Sequence, residues 1–335
     1  MVYLGHRKYS APRRGSIAFR PRARAKSIES RIRSWPQSAE EKSNLTGFAG
    51  FKAGVIHVIT IDDREKTPNF GKHFLNPSTV VVTPPVRIIG IRAYSENQNG
   101  KHVTFDVYSK DLPKDLRRKF TANFDEEKLV NSESKLDRAV SVVALVSVLP
   151  RDANLSQKKP FVFEIAVTGK DVKSRYDYLK TILGKEIRVS DIFQVGQYID
   201  VSAITRGKGI EGPITRFGVK RKQHKSRKSV RAVGTLGPIS PAVVMYTVPR
   251  QGQRGFHQRT EYNKRILMIS NTEKNAADHI NPSGGFKHFG LVNGDYIVVK
   301  GSIPGVPKRL IKMRQPIRNF QKKIFEPKVL EVVVQ

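Results

Sequence analysis

STVVVTPPVRIIGIRAY, residues 78–94, decides the fold class because two β-branched runs are separated by a pair of prolines. Valine and isoleucine favour strands, and proline is tolerated in a sheet only at an edge, a strand end or a bend. We therefore predict two strands with a break at Pro84–Pro85. The rest of the chain shows the same pattern of short apolar runs bounded by turn residues.

Further strands are predicted on both sides of this stretch. GFAGFKAGVIHV (47–58) is typical of a glycine-punctuated strand pair, and HVTFDVY (102–108) alternates as a strand does. The other predicted strands are AVSVVALVSVL (139–149), FVFEIAV (161–167), QYIDVSAIT (197–205), AVVMYTV (242–248), KRILMIS (264–270), DYIVVKG (295–301), KRLIKMR (308–314) and KVLEVVV (328–334).

Predicted helices are few. KDVKSRYDYLKTILG (170–184) is the clearest, with apolar residues at helical spacing and Gly184 as its stop. Shorter helices are predicted over 114–120 and 125–138. Many short strands with few helices favour a mainly β chain built on a closed β-barrel.

The predicted domain organisation follows from these elements and from charge. It consists of a basic N-terminal extension over 1–46, a first part of the barrel over 47–95, an inserted α+β unit over 96–190 and a second part of the barrel over 191–335. Within the last part, residues 206–241 form a long, basic, glycine-rich finger loop between two predicted strands. Loops of this length in compact domains are usually functional.

Positive charge is concentrated in three segments. The chain has 61 Lys and Arg against 29 Asp and Glu, a net charge of +32. Residues 1–35 and 206–231 each hold ten basic and one acidic residue, 300–323 hold eight and none, and 96–200 hold eighteen and sixteen. One basic run is usually a solvated face, but three with almost no counter-charge predict a nucleic-acid partner.

The extension adds a second argument for RNA. Its apolar residues follow no period, and prolines and glycines interrupt it, so it cannot bury enough surface to order itself alone. Tyr9, Phe19 and Trp35 alternate with basic residues. Such aromatic rings can stack on splayed bases while arginine pairs with phosphates.

Several function classes are disfavoured. The chain has no cysteine, which excludes disulfides, thiolate zinc sites and cysteine nucleophiles. No phosphate-binding glycine loop or paired histidine motif occurs, and the carboxylate runs Asp62–Asp63 and Asp125–Glu127 are weak candidates for a metal site. With no secretory signal, and with 139–149 as the longest apolar run, we expect a cytoplasmic protein with no membrane partner. An RNA-modifying or RNA-cleaving enzyme and a DNA-compacting protein remain the alternatives.

Seven stretches, in this order, carry a resemblance to a known family. They are HRKYSAPRRGS (6–16), GFAGFKAGVIHV (47–58), TPPVRIIGIRAY (83–94), KDLPKDLRRKF (110–120), RGKGIEGPITRFGVKRKQHKSRKSVRAVGTLGP (206–238), PRQGQRGFHQRTEYNKRI (249–266) and GDYIVVKGSIPGVPKRLIKMR (294–314). The chain closely resembles the archaeal branch of the L3 family of large-subunit ribosomal proteins, with the weakest match over the inserted unit.

The resemblance implies a six-stranded barrel of the translation-protein type, with the insert, extension and finger. It implies a structural, non-enzymatic protein without cofactors or small-molecule substrates, which binds large-subunit ribosomal RNA and acts early in subunit assembly. The extension and finger would reach toward the peptidyl-transferase centre. Expected protein neighbours are the universal L14 and the archaeal and eukaryotic L24e types. We expect the near-neutral insert to face solvent or neighbouring proteins.

The expected RNA contacts follow from the basic segments and the resemblance. They are Arg7, Lys8, Arg13, Arg14, Arg20, Arg22, Arg24, Lys208, Arg216, Lys220, Arg221, Lys222, His224, Lys225, Arg227, Lys228, Arg231, Ile239, Arg250, Gln253, Arg254, His257, Arg259, Lys264, Lys308, Arg309, Arg314 and Arg318. No catalytic or metal-ligating residue is predicted. At the finger tip, many members of the family resembled carry tryptophan where this chain has Ile239, which cannot stack on a base.

Overall fold

The computed structural model describes residues 12–36, 42–119, 121, 132–223, 225–226, 229–272, 280–318 and 325–334. These residues form two compact units. The first unit takes its described residues from Met1–Lys26 and Thr205–Gln258, and the second from Ser27–Ile204 and Arg259–Gln335.

Strands dominate the described residues. In chain order they are β1 (Gly47–Ile61), β2 (His73–Val82), β3 (Val86–Asn97), β4 (Gly100–Tyr108), β5 (Ser141–Val148), β6 (Phe161–Ala166), β7 (Glu186–Ile187), β8 (Tyr198–Ile204), β9 (Ile210–Glu211), β10 (Gly252–Gln253), β11 (Gln258–Asn271), β12 (Asp295–Lys300), β13 (Leu310–Arg314) and β14 (Val329–Val333). The helices are α1 (Val172–Ile182) and α2 (Pro213–Phe217), and residues 132–135 are also helical. There are 3₁₀ turns at Ile17–Phe19, Lys114–Arg118, Leu136–Arg138, Pro150–Ala153 and Val189–Asp191. The mainly β prediction is confirmed.

The larger sheet of the second unit has the strand order β13-β8-β11-β12-β2-β1-β14 among the described residues. β13 also pairs with β1, from Gly47↔Arg314 to Phe51↔Leu310. Farther along, β1 pairs with β14, starting at His57↔Val333, while β2 runs antiparallel along its other edge. The length of β1 therefore lets one strand join three neighbours.

The strand pair predicted over 47–58 is wrong, because these residues all belong to the single strand β1. Its glycines serve close packing, since a Cβ on Gly50 would lie 2.5 Å from the carbonyl oxygen of Val82. A Cβ on Gly54 would lie 2.2 Å from Cδ1 of Phe286. Glycine in a strand often marks such a close approach, and here it does not mark a turn.

The smaller sheet has the order β4-β3-β5-β6, with β7 on β3. The predicted break at Pro84–Pro85 is confirmed and sends β2 and β3 into different sheets. β3 falls within 47–95, the range predicted for the first part of the barrel, but it pairs only in the smaller sheet among the described strands. Helix α1, predicted over 170–184, packs here with Tyr176 and Leu179 buried.

One hydrophobic core joins both sheets of the second unit. Phe51 of β1 and Phe161 of β6 contribute rings whose centroids are 5.9 Å apart. Burying a phenylalanine, valine or isoleucine side chain stabilises the fold by about 1.5–3 kcal/mol. The core therefore couples the two sheets and gives the second unit a rigid framework.

The first unit has little regular structure. β9 pairs with β10, and α2 lies between them in sequence. The strand predicted over 242–248 is wrong, because the described backbone there forms bends and turns. Most of its apolar side chains are exposed, including Val243 at 71% and Tyr246 at 72%. A β-branched run forms a strand only where a neighbouring edge accepts its hydrogen bonds and a core covers one face.

Candidate nucleic-acid interface

Three guanidinium groups surround one aromatic ring in the first unit. The guanidinium carbons of Arg22, Arg20 and Arg216 lie 4.2, 4.8 and 5.1 Å from the centroid of the Phe217 ring. Phe217 ends the short helix α2, which Gly218 stops with a left-handed backbone of φ +67°. Each cation over an aromatic face gains about 0.5–2 kcal/mol. We call Arg20, Arg22, Arg216 and Phe217 the arginine cluster.

Backbone carbonyl oxygens orient these guanidinium groups. Arg216 donates to the carbonyls of Gln253 (2.9 Å), Arg250 (3.2 Å) and Arg22 (3.2 Å). Three further bonds run from Arg13 to the Thr247 carbonyl, from Arg14 to that of Gly218 and from Arg20 to that of Tyr246. Each of these acceptors is neutral, so the bonds position the guanidinium groups without cancelling their charge.

Burial and repulsion between neighbouring guanidinium groups lower pKa values in the cluster. Burial lowers the pKa of Arg20, and the neighbouring charges of Arg13 and Arg22 lower it further. Burial also lowers the pKa of Arg216, again with repulsion from Arg22 and Arg20. Arginine stays charged at such sites, so the cluster concentrates positive charge that an anion would stabilise.

A cavity of about 310 Å³ opens beside the cluster. Its lining includes Arg20, Arg22, Arg216 and Arg250, together with the apolar side chain of Val244. Nε and Nη2 of Arg20 are buried and have no hydrogen-bond partner among the described residues. Buried donors without acceptors are costly, and a phosphate oxygen would satisfy them with charge-assisted hydrogen bonds. The cavity therefore suits an anionic group.

The structure distributes the expected RNA contacts over three levels of exposure. The exposed ones are Arg13, Arg14, Arg24, Lys208, Lys220, Arg221, Lys225, Arg231, Ile239, Arg250, Lys308 and Arg318. Half-buried ones are Arg20, Arg22, Arg216, Lys222, Gln253, Arg254, Arg259, Lys264 and Arg309, while His257 and Arg314 are buried. Arg7, Lys8, His224, Arg227 and Lys228 lie outside the described residues.

His257 has an internal role in the first unit. Its Nδ1 lies 2.8 Å from the carbonyl oxygen of Ala23, and its backbone N–H donates to Oγ1 of Thr205 at 3.1 Å. Because a carbonyl oxygen can only accept, Nδ1 is the donor. The backbone N–H of Ala25 donates to the Phe256 carbonyl at 2.8 Å, so the same two segments are held twice. These bonds give His257 a structural role, and the RNA contact expected there stays a prediction.

Arg314 also points inward, in the second unit. Its Nη2 lies 3.1 Å from Oδ2 of Asp200, and the two side chains are 6% and 0% exposed. Its partner across the β1–β13 pair is Gly47. The guanidinium of Arg314 is therefore paired inside the second unit, and the RNA contact expected at Arg314 stays a prediction.

The predicted stacking aromatics differ in their surroundings. Phe19 is 53% exposed. Trp35 is half-buried and packs against the core of the second unit, where a Cβ on Gly47 would lie 2.7 Å from Cζ3 of the indole. Tyr9 lies outside the described residues. Only part of the Trp35 surface is therefore accessible.

The weak carboxylate candidates are bound by arginines. Arg64 Nη2 lies 2.6 Å from Asp62 Oδ2, and Arg265 Nη1 lies 2.8 Å from Asp63 Oδ1. Asp125–Glu127 lies outside the described residues. Within the described ranges, no group of three or more acidic or histidine side chains is placed to hold a metal ion. None of the helices there has the length and apolarity needed to cross a membrane.

Sequence reasoning missed Phe217, the centre of the arginine cluster. Phe217 has basic neighbours only at Arg216 and Lys220 in the chain, which gives no sign of what approaches from elsewhere. Arg20 and Arg22 come from a segment about 195 residues away, and Arg22 donates to the carbonyl of Arg216 at 2.5 Å. A ring flanked by arginine, glycine and lysine in a basic loop is the one local signal that could have indicated it.

Comparisons with known proteins identify the family of the chain. Residues 4–335 match the family model described as Ribosomal protein L3. A Large ribosomal subunit protein uL3 of Methanococcoides burtonii is 42% identical over 99% of this chain and 98% of its own length. The protein of the same name from Caldivirga maquilingensis is 44% identical over 93% and 91%, and that from Methanocaldococcus jannaschii 42% over 95% and 95%. The chain therefore belongs to the ribosomal protein L3 family.

Proposed function

We propose that the protein is a structural constituent of the large ribosomal subunit and binds large-subunit ribosomal RNA. Family membership and the relatives' name, Large ribosomal subunit protein uL3, support the first part. The arginine cluster carries the second part, because its guanidinium groups are oriented by neutral carbonyls beside a cavity with unsatisfied donors.

The proposed mechanism is electrostatic neutralisation of closely spaced phosphates. Arg20, Arg22 and Arg216 donate to phosphate oxygens, and the Phe217 ring holds the three groups at one place despite their repulsion. Release of counterions condensed on the RNA drives association. RNA shape, more than base edges, supplies specificity.

Among the other expected contacts, the exposed basic residues of the finger, such as Lys220, Arg221 and Arg231, remain proposed phosphate ligands. The exposed Lys308 and Arg318 remain proposed ligands in the third basic segment. His257 and Arg314 make internal bonds, and RNA contact at these two residues remains a proposal.

We propose that the larger sheet is a closed six-stranded barrel. The pairing of β13 with β1 as well as with β8 supports closure, because it links the two ends of the path β13-β8-β11-β12-β2-β1. We also propose that residues 96–190 form an inserted α+β unit and that this unit includes β3, since β3 pairs with β4, β5 and β7. The extension over 1–46 and the finger over 206–241 complete the proposed organisation.

We further propose that the extension and finger reach toward the peptidyl-transferase centre and that the protein acts early in assembly. Ile239 at the proposed finger tip is 96% exposed, which suits a residue that completes its contacts only against a partner. The proposed neighbours are the L14 and L24e types, and the proposed location is the ribosome in the cytoplasm.

Catalysis is not part of this proposal. The rival enzyme would need a reactive group, and His257, a histidine that could act as a base, is buried and bonded to the Ala23 carbonyl. Incubating the purified protein with ribosomal RNA and Mg²⁺ distinguishes the two, because cleavage or modification of the RNA would favour the enzyme.

The direct test is the salt dependence of RNA binding. Filter retention of large-subunit ribosomal RNA between 50 and 500 mM KCl should give a linear fall of log K with log salt, with a slope of about 0.7–0.9 per phosphate contact. Duplex DNA serves as the competitor. Equal affinity for the two polyanions would indicate a general DNA-compacting protein, and a flat salt profile would contradict phosphate binding.

A further inference from the structure

A second basic cavity lies within the second unit and shares no lining residue with the arginine cluster. It has a volume of about 740 Å³ and lies between residues 31–36 and the smaller sheet. Its charged lining residues are Arg31, Arg33, Lys101, Glu164 and Arg175. We call this cavity the sheet groove.

Positive charge dominates the lining. Among the described lining residues the one carboxylate is Glu164, which accepts hydrogen bonds from Arg92 Nη1 at 2.9 Å and from the Tyr94 hydroxyl at 2.7 Å. That carboxylate is therefore already bound by a cation outside the lining. Arg175 is oriented by two bonds to the Gly169 carbonyl, at 3.0 and 2.6 Å, and keeps its charge. The four basic lining residues thus make the groove attractive to an anion.

Aromatic rings stand beside these cations. Trp35 and Tyr94 both line the groove. Trp35 is anchored through its packing at Gly47 and is the only tryptophan of the chain. Guanidinium groups next to aromatic faces are the combination that binds single-stranded RNA, with phosphates on the cations and bases stacked on the rings.

We propose that the sheet groove binds a short single-stranded segment of RNA. Phosphates contact Arg33 and Lys101, and a base lies against Trp35. The volume falls within the range of about 300–1,000 Å³ that is usual for sites enclosing a small ligand. This inference rests on the proposed function and adds RNA contact at the smaller sheet, which was expected to face solvent or proteins. The carboxylates of a polyglutamate peptide would satisfy the cations but offer no aromatic face to stack on the indole.

Trp35 fluorescence gives a readout specific to this groove. Titrating the full-length protein with an eight-nucleotide oligouridylate should quench Trp35 emission with a saturable curve. The double variant Arg33→Ala/Lys101→Ala removes two exposed cations and should lower the salt slope of oligonucleotide binding by about 1.4, at about 0.7 per single-strand contact. The matched control, Lys158→Ala/Lys159→Ala, removes two exposed cations of the same unit outside the groove lining and should leave the slope unchanged.

Filter retention of large-subunit ribosomal RNA on the same proteins separates the two proposals. If the RNA binds with a steep salt slope but the oligonucleotide leaves Trp35 emission unchanged, the groove proposal is overturned and the proposed function stands. The groove proposal is likewise overturned if the groove variant matches its control. If ribosomal RNA binds no better than duplex DNA, both proposals fail. An octaglutamate peptide that quenches Trp35 at lower concentration than the oligonucleotide would assign the groove to a protein partner instead.

Discussion

Arg314 lies against Asp200 inside the second unit, with Nη2 3.1 Å from Oδ2 and both side chains almost fully buried. Arg314 also donates to the carbonyl of Ser34. A buried ion pair is costly to break from one side, because the remaining charge has no water and no partner. This pair therefore matters for folding, although its arginine lies in one of the basic segments.

Arg314→Ala should lower the free energy of unfolding by about 3–5 kcal/mol, because Asp200 would be left as an uncompensated buried charge. Urea denaturation followed by far-ultraviolet circular dichroism measures this loss. Arg318→Ala, at an exposed position four residues later, is the control and should change stability by less than about 0.5 kcal/mol. Equal effects of the two substitutions would show that the ion pair contributes little.

Lys312 should make stability depend on pH. Its side chain is buried, with Nζ 4.3 Å from the Phe163 ring centroid, and burial lowers its pKa to about 8, against 10.5 for an ordinary lysine. Glu29 and Glu164 favour its charged form, while Lys119 opposes it.

Between pH 8 and 10.5 the folded protein binds fewer protons at Lys312 than the unfolded chain does. The free energy of unfolding should therefore rise with pH through this window, by an amount on the order of 3 kcal/mol from Lys312. Lys312→Met should be more stable than the parent at pH 7, and the difference should shrink toward pH 10. Parallel pH profiles for the two proteins would refute the assignment.

Phe217→Leu tests how the arginine cluster is held. The leucine keeps apolar bulk but removes the aromatic face, so RNA affinity should fall roughly fivefold, about 1 kcal/mol, without a change in salt slope. Arg20→Ala should instead reduce the slope by about 0.7–0.9, because a phosphate contact is lost. Filter retention at several KCl concentrations measures both. A changed slope in Phe217→Leu would mean that the ring does more than position the cations.

Gly54→Ala should destabilise the second unit by about 1–3 kcal/mol, because the added methyl group would lie 2.2 Å from Cδ1 of Phe286. Phe286→Leu in the same chain should recover part of the loss. Gly212→Ala is the matched control, since its φ is −72° and nothing lies within 4 Å of the added carbon. Thermal melting of the parent and the three variants checks this order of stability. A Gly54→Ala protein as stable as the parent would show that Phe286 moves aside freely.

Ile239→Trp should leave the stability of the isolated protein unchanged within about 0.5 kcal/mol, because Ile239 is 96% exposed. Stacking on a base contributes about 1–3 kcal/mol, so affinity for ribosomal RNA should stay equal or increase. Denaturation and filter retention provide the two measurements. Weaker binding would indicate that the RNA surface at this position is shaped for isoleucine.

Local sequence was sufficient for features that depend on near neighbours. The proline pair at 84–85 ends one strand and begins another, and helical spacing identified the helix now seen at Val172–Ile182. Counting charged residues along the sequence was enough to locate the three basic segments. These predictions succeed because backbone preference, burial periodicity and net charge are properties of short stretches of chain.

Other features depended on residues far apart in sequence. The apolar run 242–248 has strand-forming residues but no strand partner among the described residues, and 47–58 became one strand because its glycines meet Val82 and Phe286. Sequence spacing carries no information about such encounters.

The chain's sequence by itself determined that this is a mainly β, strongly basic protein with the features of the ribosomal protein L3 family. Only the tertiary structure decided which basic side chains are exposed and which are buried and paired within the protein. Arg314 is paired with Asp200 across 114 residues, while Arg22 reaches Phe217. The physical reason is that a charge takes its role from its neighbours and its solvation, and both are set by long-range packing.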